Sequence, residues 1–274
     1  MNKVMELSDS LNAILNSYTQ SVRLLIGYLR HIRDAINDIQ ARHAQIVAKF
    51  EAAASGDSDP SPPSPDEKAI QLDLNAKQLD AIIAIMQDAE GNTAAYPNLT
   101  YRMSFVYLVA IFDAFLSDIF TEVAHARPEI LTSKKKQVSY AKILELGNFE
   151  AMVDFIASRE LNELSYKSIK EQADYYEDRF GVALRDSGVS VNELMELRCT
   201  RNLLVHNNGI VNHIYLEQVS GSSYRSGDEV KVDAEYFDHA VESFNSIVTF
   251  VTAELIEKHA NRSAGESPVH LSES

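Results

Sequence analysis

Apolar residues in the first fifty positions recur at steps of three and four: Leu7, Leu11, Ile14, Tyr18, Val22, Leu25, Leu29, Ile32, Ile36, Ile39, Ile46 and Phe50, with His43 in one gap. This period predicts one long helix with a heptad-like seam and a four-residue slip between Tyr18 and Val22. Such a helix must bury its seam, either in a helical hairpin within the chain or in a coiled coil with a second copy. The segment 54–65 is polar and rich in Pro and Ser, so it reads as an extended linker. Ser64 as cap, Pro65 at the first helical position and Glu67 closing a capping box predict the next helix. That helix is expected to run to about Glu90 and to stop at Gly91-Asn92, as a shorter antiparallel partner for the first.

A third helix is predicted over Leu99 to Ala126, apolar on nearly all sides between Phe105 and Phe120 and ended by Pro128. Asp113 inside it needs a partner, as any buried carboxylate does. A salt bridge to a neighbouring helix and a role in orienting an active-site group both answer that need. Further helices are predicted at 138–146, 149–163 and 166–180. Lys134, Lys135 and Lys136 precede them as a solvated loop or a contact for a phosphate backbone. Ser190 and Glu193 mark a capped helix that stops at Asn207-Asn208-Gly209. The alternating stretches 213–219 and 229–232 predict a small β-hairpin across a Ser/Gly-rich turn. The last helix, 234–259, carries the stripe Phe237, Val241, Phe244, Val248, Val251, Leu255. The tail from Arg262 is polar and expected to be disordered. The expected fold is therefore an all-α helical bundle over residues 93–260, preceded by a long N-terminal helix or hairpin over 1–92 and followed by a disordered tail over 261–274.

Composition narrows the picture. Gly (10) and Pro (7) are scarce in 274 residues, in keeping with helix. A single cysteine, Cys199, excludes an internal disulfide framework and suits a reducing compartment. The N-terminus lacks the apolar core of a signal peptide, and the strongly apolar run Phe105–Leu116 is too short to span a bilayer and contains Asp113. A cytoplasmic protein without a membrane role is the expectation. A net charge of −15 argues against non-specific DNA binding, so any contact with nucleic acid must be local.

The helix 191–207 holds the candidate chemistry. Leu194, Leu197 and Leu204 share one stripe with Arg201, and an arginine among core-facing leucines needs a carboxylate, a phosphate or water. His206 follows five positions later, about 140° around the helix. The two side chains meet through the reach of the arginine, through fraying of the helix end or through pairing of two subunits.

The string Glu196-Leu197-Arg198-Cys199-Thr200-Arg201-Asn202-Leu203-Leu204-Val205-His206-Asn207-Asn208-Gly209-Ile210-Val211-Asn212, with Tyr215-Leu216 beyond it, resembles the signature helix of the HEPN superfamily. That motif is an arginine, often followed by a polar residue, with a histidine four to six positions on. Arg201, Asn202 and His206 match it, and the resemblance extends over about Leu99 to Lys258. It implies a metal-independent endoribonuclease (a hydrolase cleaving RNA) that dimerises and acts as a toxin or antiviral-defence effector. An RNA substrate, a homodimer and an antitoxin or other regulatory protein are the implied partners, with no cofactor. His206 has the chemistry to move a proton at the 2′-hydroxyl or the leaving oxygen. Arg201 has the fork geometry for phosphate oxygens, and Asn202 orients either group or holds a phosphate. Asp113, Asn207 and Asn212 are supporting candidates. No spacing of His, Cys, Asp or Glu suggests a metal site. The superfamily also includes non-catalytic members that act as interaction or nucleotide-binding modules. On that reading Arg201 is an ion-pair partner of Asp113 or Glu196, His206 caps a helix, and the asparagines form turns.

Overall fold

The structure, a computed structural model, describes residues 2–55, 76–133 and 136–265. Eight α-helices are described: α1 (Asn2–Ser55), α2 (Ala76–Ala126), α3 (Tyr140–Leu146), α4 (Phe149–Ser165), α5 (Ile169–Phe180), α6 (Val191–His206), α7 (His213–Gln218) and α8 (Ala234–Gly265), with 3-10 turns at Pro128–Leu131 and Leu184–Ser187. No strand occurs among the described residues. Residues 54–55 of the expected linker and 261–265 of the expected tail are helical, in α1 and α8, and the rest of both, with the helix start at Ser64, Pro65 and Glu67, lies outside the described residues.

The chain divides into two compact units, one made of residues 1–25 and 104–274, the other of residues 26–103. The division expected near residues 92 and 93 falls instead inside α2, and the first 25 residues belong with the larger unit. The smaller unit takes in the distal part of α1, where Leu29 and Ile36 are buried, and the first part of α2. In the larger unit, Leu7, Leu11, Tyr18, Val22 and Leu25 of the α1 seam are buried. Tyr18 meets Phe115 of α2 edge-on, with ring centroids 5.5 Å apart. The proximal seam is thus used inside the chain.

Two expectations are corrected here. The helices read as ending at Gly91 and starting at Leu99 are one continuous α2, which carries Pro97 in its interior. A proline forfeits only its own N–H bond and the fit of one carbonyl, and flanking turns compensate. Immediately after it, Thr100 Oγ1 donates to Tyr96 O at 2.7 Å. The second correction concerns the hairpin. Residues 213–218 form α7, because the Asn212 side chain accepts from Tyr215 N at 3.0 Å and caps a helix there. The return segment pairs instead with the stretch just after α6: Val211 N donates to Asp228 O at 2.8 Å and Val230 N to Gly209 O at 2.8 Å, around a lone antiparallel bridge Ile210–Glu229.

The core of the larger unit lies between α2 and α8. Phe112 stacks on Phe244 with centroids 4.3 Å apart, and every residue of the expected α8 stripe is buried. Each such side chain contributes about 1.5–3 kcal/mol by leaving water. Within α2, the stretch Ala95–Ala126 is long and apolar enough to cross a membrane by length and composition alone, and 56% of its apolar window is buried inside the protein. A core helix and a membrane span both meet that test. Lys136 is ion-paired within the chain. It donates to the buried Glu160 at 2.5 Å and to Glu163 at 2.6 Å, tying the segment before α3 to α4. Lys134 and Lys135 lie outside the described residues.

Candidate functional site

Helix α6 begins where Ser190 Oγ accepts from Glu193 N at 3.1 Å. The reciprocal half of the expected capping box is absent, because the Glu193 carboxylate turns to α8, where Ser243 Oγ donates to it at 2.5 Å and His239 lies 3.3 Å away. The helix ends as the polar stop requires. Asn208 (φ 51°) and Gly209 (φ 79°) are left-handed, and Gly209 N donates back to Leu203 O at 2.9 Å. This tight end leaves His206 exposed on the last turn.

Two carboxylates anchor the helix. Glu196 accepts hydroxyl bonds from Thr200 (2.8 Å), Tyr215 (3.3 Å) and Tyr236 (3.0 Å), joining α6 to α7 and α8. Burial and the neighbouring Glu196 charge push the Tyr215 phenol up to about 12 and the Tyr236 phenol higher still. Asp113 of α2 accepts from Arg198 Nη1 at 2.8 Å, a salt bridge to a neighbouring helix. Burial raises the Asp113 carboxyl above its usual range, against the pull of Arg198 and, more weakly, of Arg201. Asp113 and Arg198 line a small hollow of about 120 Å³ with Gln172 and Tyr176, separate from the one that His206 faces.

Arg201 therefore pairs with neither carboxylate proposed for it. Its Nη1 donates to Asn202 Oδ1 at 3.1 Å, its Nε is buried with no hydrogen-bond partner, and no carboxylate forms a salt bridge with it among the described residues. The sequence reading did not single out Arg198, the arginine one turn earlier that takes Asp113.

Asn202 and His206, four residues apart on one face, open onto a hollow of about 280 Å³ with Asn207 and Asn212. Cys199, Leu203, Ile214, Tyr215 and Gln218 complete its lining. The structure thus brings together four of the six candidate residues, Asn202, His206, Asn207 and Asn212. Arg201 touches this group only through Asn202, and Asp113 stands apart. The sequence reading missed Cys199 and Gln218. The spacing of Cys199, Asn202 and His206, three and then four residues, was a legible signal that they share a stripe. No group of three or more His, Cys, Asp or Glu side chains able to hold a metal ion occurs among the described residues.

Comparison with protein-family models, curated proteins and solved structures finds no match to this chain.

Proposed function

We propose that this chain is a metal-independent endoribonuclease of HEPN type, acting as a homodimer in the manner of a toxin or antiviral-defence effector. One observation carries the reading. At the end of α6, an exposed histidine and Asn202 open onto a hollow with no Asp or Glu in its lining, beside an arginine that forms no salt bridge among the described residues. In a chain of net charge −15, a hollow with no acid in its lining and next to a cation outside any described salt bridge is where a phosphate is tolerated.

The chemistry follows from the groups present. The 2′-hydroxyl of the RNA attacks the adjacent phosphorus, and a neutral His206 accepts its proton. The 5′-oxygen leaves and takes a proton from the imidazolium so formed, giving a 2′,3′-cyclic phosphate and a 5′-hydroxyl and returning the histidine to its starting state. Arg201 balances the charge that builds on the non-bridging oxygens, and Asn202 holds its guanidinium in place. Because Arg201 and His206 point about 140° apart on one helix, a cleft containing both is best built from two copies of α6. Val205 and Ile214, exposed apolar residues flanking His206, suit such a junction.

A second reading, a non-catalytic interaction module, draws on Tyr140, Leu144 and Phe149, large side chains exposed on α3 and at the start of α4. The experiment that separates the two is cleavage of total tRNA and of a single-stranded RNA in EDTA by the wild type, His206→Ala and Arg201→Ala, each checked for folding and oligomeric state. Cleavage lost in both variants supports the nuclease. No cleavage by any of the three at high concentration across varied RNAs supports the module, and cleavage surviving both substitutions removes the site assignment.

A further inference from the structure

The hollow beside His206 contains four side-chain amides, and their hydrogen bonds decide which way each one faces. Asn202 Oδ1 accepts from Arg201 (3.1 Å), Asn212 Oδ1 from the Tyr215 backbone N–H (3.0 Å), and Gln218 Oε1 from the Cys199 thiol (3.0 Å). Guanidinium and backbone N–H groups only donate, so the oxygens of Asn202 and Asn212 must face them, and the thiol bond orients Gln218 in the same sense. The three amide NH2 groups are then left without a hydrogen-bond partner among the described residues. Asn207 is turned the other way, its Nδ2 donating to Ile210 O at 2.5 Å, so it is the Oδ1 atom that remains unused. The result is a pocket with three free donor groups and one free amide acceptor, no carboxylate, and apolar contact from Leu203 and Ile214.

We infer that this hollow is a base-recognition pocket for a single-stranded nucleotide and selects uracil; the inference rests on the nuclease reading for its place beside the cleaved phosphate. A volume of about 280 Å³ lies just under the range of pockets for drug-sized ligands, a size suited to one ring with part of its sugar. Uracil presents two carbonyl acceptors flanking one N–H donor, the complement of donor groups with a lone acceptor. Cytosine replaces one of those acceptors with an amino group, and adenine offers one acceptor beside an amino group. Guanine offers two acceptors on its major-groove edge, with no donor between them for Asn207. A donor amide facing an amino group loses its partner on the base, which disfavours that base.

The test uses the full-length wild-type chain and fluorescent 2′-O-methyl octamers, which lack the attacking hydroxyl and stay intact. Each octamer is all adenine except for one central uracil, cytosine or guanine, and binding is read by anisotropy. The expected result is binding of the uracil octamer about tenfold tighter than the cytosine one, roughly one good hydrogen bond in affinity. Asn212→Asp and Gln218→Glu keep the acceptor oxygens that serve Tyr215 and Cys199 but exchange the free donor for a carboxylate oxygen. Both are expected to melt like wild type and to lose the uracil preference, and having them on two sides of the pocket preserves the test should one fold poorly. Equal binding of the octamers, tighter binding of guanine, or a preference that survives both substitutions overturns the pocket. RNA cleavage without base preference overturns the pocket and leaves the nuclease reading standing. A uracil preference lost in both variants, in a protein that cleaves no RNA, supports the pocket and removes the nuclease reading.

Discussion

Tyr18 offers a sharp test of the packing between α1 and α2. The residue is 3% exposed, its ring meets Phe115 edge-on, and its hydroxyl is buried with no hydrogen-bond partner among the described residues. Burial pushes the Tyr18 phenol well above its ordinary range, as expected of a hydroxyl removed from water without compensation. Tyr18→Phe keeps the ring and deletes only the orphaned group. An unsatisfied buried polar group costs about 1–3 kcal/mol, so the substitution should stabilise the protein by an amount of that order. For a unit of this size each kcal/mol is worth about 2–4 °C in Tm. Thermal and urea unfolding followed by circular dichroism read the change, with Tyr18→Ala, expected to cost about 3–5 kcal/mol, as the control that the ring is buried. A Tm for Tyr18→Phe below that of wild type would mean that the hydroxyl has a partner, and the account of this interface would fall.

Three further outcomes are expected. Arg201→Met retains the apolar stem and removes the unpartnered Nε, so stability should hold or rise by up to about 2 kcal/mol. A loss of more than about 2 kcal/mol in urea titration would assign Arg201 a structural partner and take away the support for its role at a phosphate. Glu196→Ala strands the hydroxyls of Thr200, Tyr215 and Tyr236, and at about 1–3 kcal/mol each for those left buried it should cost at least about 3 kcal/mol. A cost under 1 kcal/mol in the same titration would show that the three-hydroxyl junction is not what ties α6 to α8. Tyr176, Tyr215 and Tyr236 all have phenols raised by burial, Tyr215 to about 12. The folded state therefore holds these protons more tightly than the unfolded chain does. Their stabilising contribution is complete below the ordinary tyrosine pKa of about 10 and is lost as pH climbs from there through the raised values, at about 1.4 kcal/mol per pH unit for each. Absorbance at 295 nm should show their phenolates only as the helical signal collapses, and phenolates of buried tyrosines at pH 10 in folded protein would contradict this.

How much could be read from the sequence depended on whether a residue's partner was local. The α6 cap at Ser190, the left-handed stop at Gly209, the α8 stripe and the α1 seam as far as Ile36 are all set by neighbours within a turn or two, and each stands where its pattern places it, whereas Ile39 and Ile46 farther along the seam are exposed. Gly91, Asn92 and Pro97 misled because breaker residues lower helix propensity by amounts that tertiary packing overrides. The stretch from His213 to Val219 satisfies alternation and a helical turn equally well, and a backbone bond to Asn212 decides between them. At the candidate site, the shared face of Asn202 and His206 follows from spacing alone. The pairing of Asp113 with Arg198 rather than Arg201 does not, since those two arginines lie one turn apart and only the placement of α2 against α6 discriminates between them.

The thiol of Cys199 sits behind α7, donating to Gln218, and burial beside Glu196 raises it to about 11. At neutral pH almost none of it is thiolate, which slows every reagent that needs the thiolate. As the sole cysteine in 274 residues, it is a clock already wired into the protein. Because Cys199 lines the hollow itself, the rate at which a thiol reagent consumes it reports how freely that hollow can be entered, and anything that settles there should slow the count.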